Sequence, residues 1–311
     1  MYLTAAQLQA ASAYNTKAQA AGLLTGDHIA IAMAAFQQSR DLTVDGMAGP
    51  DTREALDVAN EAVVEPVAPG LPVGKGMFVR SLASTGEPAA MVQRMADNGL
   101  QWVCVLRVWQ EPTGDARLHN GDRMVEYAAA VHAAGYGWWL WGYPVPGQQD
   151  AFADVILDAA DQCSAQGVII DPEQPYKGTT GAGTALLHAL MPGCIDRQML
   201  LGCTSYGAPW YHPSFPWREF ATVHFALPQT YDAHNNLGAG YPAQSHAAYR
   251  AYGYSVIVPA SGAWGKTEEQ MTALLANTPT PQGSIIWWDW VNASNAGLWA
   301  PVAEFSPARC P

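Results

Sequence analysis

An eight-stranded parallel barrel of the (β/α)8, TIM-like class, preceded by a small three-helix bundle, is the fold that this 311-residue sequence predicts. Three observations carry that prediction. From Gly76 onward, eight apolar, strand-like runs alternate with helical stretches, the spacing of repeated βα units. No Gly-rich phosphate loop follows the first run, which removes the main reason to prefer the alternative, a doubly wound sheet. A chain with 49% hydrophobic and 14% charged residues over this length has more core material than one ordinary domain uses.

The first sixty residues have helical patterning. Ile29, Ala32, Met33 and Phe36 fall on one helical face behind Asp27, an N-cap type, and the helix gives way near Leu42. Asp45-Gly46 signals a turn, Gly49-Pro50 opens the next helix, and Thr52, Ala55 and Leu56 lie on it. An earlier helix from about Thr4 to Ala21 completes a bundle over residues 1–62. The segment "VVEPVAPGLPVGK", Val63 to Lys75, is rich in Pro and Gly without periodicity, so it is expected to be a semi-extended linker.

The barrel is expected over residues 76–311. Its strands are "GMFVRS" from Gly76, "QWVCVLRVWQ" from Gln101, "GYGWWLWGYPV" from Gly135 and "GVIIDPE" from Gly167. "MLLGCTSYG" from Met199, "TVHFALPQTYD" from Thr222, "SVIVPASGAW" from Ser255 and "GSIIWWDWV" from Gly283 supply the other four. Helix candidates between them include "PAAMVQRMADNG", "RMVEYAAAVHAAG", "QDAFADVILDAADQCSAQG" and "TEEQMTALLANT", several ending at a Gly suited to a C-cap.

Composition narrows the function classes. A formal net charge of −12 argues against nucleic acid or an anionic membrane surface as the main partner. No apolar run approaches the length of a membrane span and the N-terminus has no basic-then-apolar leader, so neither membrane insertion nor a signal peptide is expected. The five cysteines, Cys104, Cys163, Cys194, Cys203 and Cys310, lack metal-site or framework spacing and are expected to be mostly reduced. The His residues show no H-E-x-x-H spacing, "CTSYG" lacks a nucleophile elbow, and no metal or cofactor is expected. A monomer is expected.

In a barrel, catalytic groups sit at the C-terminal ends of strands. The fourth strand there runs directly into Asp171 and Glu173, with Pro172 helping to end it. Residues two apart on a strand point the same way, about 6.5 Å apart, so both carboxylates can face one substrate. Two such charges raise the pKa of at least one of them, which a general acid at neutral pH requires. Glu111, just past the second strand, is a reserve carboxylate.

Two family resemblances follow from these residues. The pattern F-Q-x-x-x-x-L-x-V-D-G-x-x-G-P-x-T-x-x-x-L, carried by Phe36, Gln37, Leu42, Asp45, Gly46, Gly49, Pro50, Thr52 and Leu56, resembles the peptidoglycan-binding-domain type 1 family. The D-x-E at Asp171 and Glu173 resembles glycoside hydrolase family 25, the barrel lysozymes, and more distantly family 18. That resemblance implies Glu173 as proton donor and Asp171 as the residue steering the substrate's 2-acetamido group, which supplies the nucleophile. "QTYD" is similar to the M-x-Y-D of family 18 and adds Gln229, Tyr231 and Asp232 as substrate-binding residues. "WWDW" adds Asp289 and Trp288, and Tyr143 and Arg80 complete the expected rim, although family 25 barrels usually carry an Asp where Arg80 stands. Rim carboxylates such as Asp232 and Asp289 can equally pair with Arg107 or Arg80 as structural groups.

Together these features imply an endolysin-like peptidoglycan hydrolase of phage origin, made in the host cytoplasm and acting on the cell wall. An inactive wall-binding protein and a chitinase-like glycosidase remain as alternatives.

Overall fold

The computed structural model describes residues 34, 37, 42–47, 51–52, 70–111, 116–121, 123–231, 237–238 and 240–307. The chain divides into two compact units, Met1–Ala68 and Pro69–Pro311. Most of the expected three-helix bundle, including Asp27, Phe36, Gly49, Pro50 and Leu56, lies outside the described residues, as do Asp232 and Cys310.

What is described of the first unit centres on Gln37, which is buried. Its Nε2 donates to Asp45 Oδ1 at 2.8 Å, to Thr52 Oγ1 at 2.9 Å and to the Met47 carbonyl at 3.0 Å. Its Oε1 accepts from the backbone N–H groups of Asp45 and Gly46 at 3.1 and 2.9 Å. Gly46 has a φ of 70°, the left-handed conformation that a side chain would resist. Gln37, Asp45, Gly46 and Thr52 therefore satisfy one another across a turn, which is a structural reason for that pattern of residues.

The second unit is a closed (β/α)8 barrel. Its strands are β1 (Gly74–Val79), β2 (Leu100–Gln110), β4 (Gly137–Tyr143), β5 (Gly167–Ile170), β6 (Leu200–Tyr206), β7 (Phe225–Gln229), β8 (Ala260–Gly262) and β9 (Ser284–Trp288). They pair in parallel in that order, and β9 returns to β1. The short β3 (Ala116–Leu118) adds antiparallel to the end of β2, a hairpin the sequence reading did not anticipate. Outside the strands lie α1 (Pro88–Asp97), α2 (Met124–Ala133), α3 (Gln149–Gln162), α4 (Ala182–Asp196), α5 (Tyr241–Tyr252), α6 (Glu268–Ala276), α7 (Trp290–Asn295) and α8 (Trp299–Glu304). No described helix is long and apolar enough to cross a membrane.

Alternation along each strand sorts two cores. Outward residues such as Val79, Val103, Leu140, Ile170 and Trp287 pack with the helices. Inward residues, among them Phe78, Trp102, Trp139, Trp141, Ile169, Leu227 and Ile286, fill the lumen. Glycines make room for the indoles: a side chain on Gly76 would overlap the ring of Trp102, and one on Gly167 the ring of Trp139.

Several boundaries differ from expectation, each for a physical reason. The first strand starts at Gly74, inside the expected linker, because Lys75 is buried and its Nζ donates to the carbonyls of Val302 and Ala303 at 2.8 and 2.9 Å. A cation there suits the C-terminal end of α8. The run from Ser255 to Trp264 gives only three residues of strand, since Pro259 cannot donate to the ladder. The connection from β6 to β7 holds two 3-10 turns, Pro209–Tyr211 and Trp217–Phe220, and no α-helix, as three prolines within eight residues would require. After α3 and α4 the left-handed position is taken by Ser164 and Gln198 and not by glycine.

Candidate active site

The inward parity that fills the lumen also determines which side chains emerge at its mouth. One step of two residues above Ile169 stands Asp171, and two above that Glu173. By the same count Tyr143 stands above Trp141, Tyr206 above Thr204, Gln229 and Tyr231 above Leu227, Arg80 above Phe78, and Trp288 above Ile286. Residues from six different strands thus meet at the C-terminal end of the barrel.

The carboxyl pair is held from below and from the side. The Asp171 N–H donates to the Gly142 carbonyl at 2.9 Å, and Ser205 Oγ donates to the Pro172 carbonyl at 2.7 Å. Gln229 Nε2 donates to Asp171 Oδ1 at 2.9 Å. The two carboxyls lie close enough for the charge of Glu173 to act on Asp171.

Asp171 is only 5% exposed. Burial, then the charge of Glu173, push it well above the usual carboxyl range. Burial raises Glu173 as well, against the opposing pull of Gln229, Asp171 and the Lys177 ammonium. The pair therefore titrates as a unit and holds a proton at a pH where isolated carboxyls have lost theirs.

Aromatic and phenolic groups surround it. Tyr231 stacks on Trp288 with ring centroids 6.1 Å apart, and lies against Gly262, where an added Cβ would sit 3.0 Å from its ring. Trp288 meets Trp141 and Phe78 edge-on at 5.4 and 5.6 Å. Tyr143 stacks on Trp109 at 4.3 Å. The hydroxyls of Tyr143, Tyr206 and Tyr231 are raised by burial and then by the carboxyl charges, so they remain protonated donors facing the pair.

The other expected residues are placed differently. The Arg80 guanidinium lies 5.8 Å over the Trp288 ring. Asp289 is fully buried and is the N-cap of α7, its Oδ1 accepting from the Asn292 N–H at 3.0 Å and from Asn292 Nδ2 at 2.6 Å. Glu111 is 3.6 Å from Arg117 in an ion pair, and Arg107 donates to the His119 carbonyl. Among the described residues no group of three or more metal-ligating side chains comes together, and the four described cysteines are free.

Tyr206, Lys177 and Trp141 were not anticipated. Strand parity beyond Thr204 could have found Tyr206. Lys177 lies in the loop after β5 and had no signal in the sequence.

No family model matches the chain, and no curated protein matches it. Solved structures do. The barrel shares the fold of family 18 chitinases and chitinase-like proteins. A chitinase from Rhizomucor miehei superimposes with a TM-score of 0.57 at 12% identity, covering 74% of this chain and 99% of that one. A xylanase and α-amylase inhibitor protein, solved with trehalose, gives 0.56 at 8% identity, over 75% and 98%. A family 18 chitinase from Flavobacterium johnsoniae gives 0.54 at 8% identity, over 76% and 94%. The family 18 likeness, the more distant of the two drawn for the barrel, is the one these folds support. The family 25 likeness and the wall-binding likeness of residues 1–62 find no support in them.

Proposed function

We propose that the protein is a glycosidase acting on a polymer of 2-acetamido sugars, and that its substrate is the glycan strand of bacterial peptidoglycan. The observation that carries this reading is the carboxyl pair Asp171 and Glu173, the first buried and the second half-buried, at the mouth of a glycosidase-type barrel and braced by Gln229. Glu173, the more exposed of the two, gives its proton to the glycosidic oxygen as the bond to the anomeric carbon breaks. Asp171, fixed by Gln229, orients the acetamido group so that its carbonyl oxygen bonds to that carbon, and water then releases the sugar. Tyr231 and Trp288 supply an apolar wall for the ring. Residues 1–62 would anchor the enzyme on its polymer and raise its local concentration, as in an endolysin.

A second reading has its own support: a xylanase and α-amylase inhibitor protein that shares this fold was solved in complex with trehalose, so the barrel suits carbohydrate binding alone. Digestion separates the readings. Purified protein incubated with isolated sacculi should generate new reducing ends and no new amino termini, read by mass spectrometry. Reducing ends from chitin but not from sacculi would move the substrate to the chitin class, and none from either would favour a binder.

A further inference from the structure

Lys177 sits in the loop after β5, on a backbone pinned on both sides. Its N–H donates to the Gln174 carbonyl at 3.2 Å, and the next N–H, of Gly178, donates to the Ser214 carbonyl at 2.8 Å. Its neighbour Tyr176 is fully buried against Phe220. The ammonium lies 4.5 Å from the centroid of Tyr206, and His212 stacks on the same ring at 3.7 Å. Among the described residues this half-buried ammonium forms no ion pair and donates no hydrogen bond, and its contact is with the ring. Glu173 and His212 both feel its charge. A cation so fixed has no carboxylate in ion-pair contact among the described residues.

We propose that Lys177 is a specificity-determining residue that pairs with a carboxylate on the bound sugar, the lactyl carboxylate of a muramic acid residue beside the scissile bond. This rests on the glycan-binding reading above and deepens it. Lysine suits the role as a point charge on a flexible stem, and the Tyr206 face holds it without neutralising it. An uncharged chitin fragment would bind without this contact, and the contact would weaken with salt.

The test uses the full chain and three tetrasaccharides. One alternates N-acetylglucosamine with N-acetylmuramic acid free of stem peptide, one is its lactyl carboxamide counterpart, and one is chitotetraose. Affinities are measured on the Glu173→Gln background and turnover on the wild-type background, each with and without Lys177→Met. The carboxylate form should bind about tenfold more tightly than the carboxamide, a preference worth about 1.4 kcal/mol, and Lys177→Met should erase it while leaving chitotetraose unchanged. Lys177→Arg should restore part of it. On the turnover side the loss should appear in KM and leave kcat largely intact. Equal losses on all three sugars, or a preference that survives in Lys177→Met, would overturn the assignment. If none of the sugars is cleaved, the hydrolase reading fails, and the affinities still decide the role of Lys177.

Discussion

Asp171 and Asp289 occupy matching places, each the first residue after a barrel strand, yet they serve different ends. Parity separates them. Asp171 is two residues above lumen-facing Ile169 and so points into the mouth, whereas Asp289 follows lumen-facing Trp288 by one and its carboxylate is taken by the Asn292 N–H. The chain beyond them reinforces the split. After Asp171 come Pro172 and a 3-10 turn whose N-cap, Glu173, makes no side-chain capping bond, so its carboxyl remains available. After Asp289 a helix starts at once and uses the carboxylate as its cap. A rim carboxylate stays open to the mouth or is taken up as architecture according to which way its strand delivers it and whether a helix claims it.

Replacing each acid by its amide should produce the largest contrast. Glu173→Gln keeps shape and hydrogen bonding but has no proton to give, so turnover on sacculi should fall by about 10² to 10⁴. Asp289→Asn should leave turnover within about threefold, because Asn caps as well as Asp. Steady-state rates on one sacculus preparation compare the two, and a similar collapse in both would erase the distinction drawn between them.

A second contrast lies in stability against pH. The folded-state pKa of Asp171 is raised by burial and by Glu173, so the folded chain holds its proton more tightly than the unfolded chain does. That contribution is fully present below the ordinary carboxyl value and is lost as pH rises through the folded one. Asp171→Asn escapes the loss. It should melt higher than wild type at neutral pH, by about 2–4 °C for each kcal/mol relieved, and the gap should close as the pH falls toward about 4. Calorimetry across that range checks the sign, and a gap that widens in acid would contradict it. The same variant should also slow turnover, since the carboxyl that orients the acetamido group is gone.

The smallest effect isolates the cap. Asp289→Ala and Asp289→Asn both remove a buried carboxylate, but only the second retains an acceptor for the Asn292 N–H. Asp289→Ala should therefore be the less stable by about 1 kcal/mol in denaturant unfolding. Equal midpoints and slopes would show that the α7 cap contributes nothing.

Much of this was legible in the sequence because alternation and turn residues are local signals. Eight apolar runs located eight barrel strands, and the D-x-E located the carboxyl pair before any coordinates. What escaped was non-local. Lys75 falls in a Pro/Gly-rich segment, and only its contact with the end of α8, more than 200 residues away, makes it part of a strand floor. Asp289 and Asp171 look alike on the line of the sequence, since capping depends on a backbone turn that follows. Lys177 gains its meaning from Tyr206 at the end of β6 and His212 in the loop that follows, both remote from it in sequence. The Gln37 cluster went the other way: its residues were picked out as a recognition pattern, and the described part gives each of them a structural occupation.

The lumen has one further consequence. Where Gly76 yields space, Trp102 takes it, and Gly167 and Trp139 make the same exchange between other strands. The quantity such an interior has to preserve is total volume summed across neighbouring strands, and each single position is free to trade with the next. A barrel can drift in this way until neighbouring strands have swapped large for small many times over, with the cavity filled at every step. Chains that agree with this one at 8 to 12% of positions can then share its shape, while a side chain placed on Gly76 or Gly167 alone in this background meets an indole.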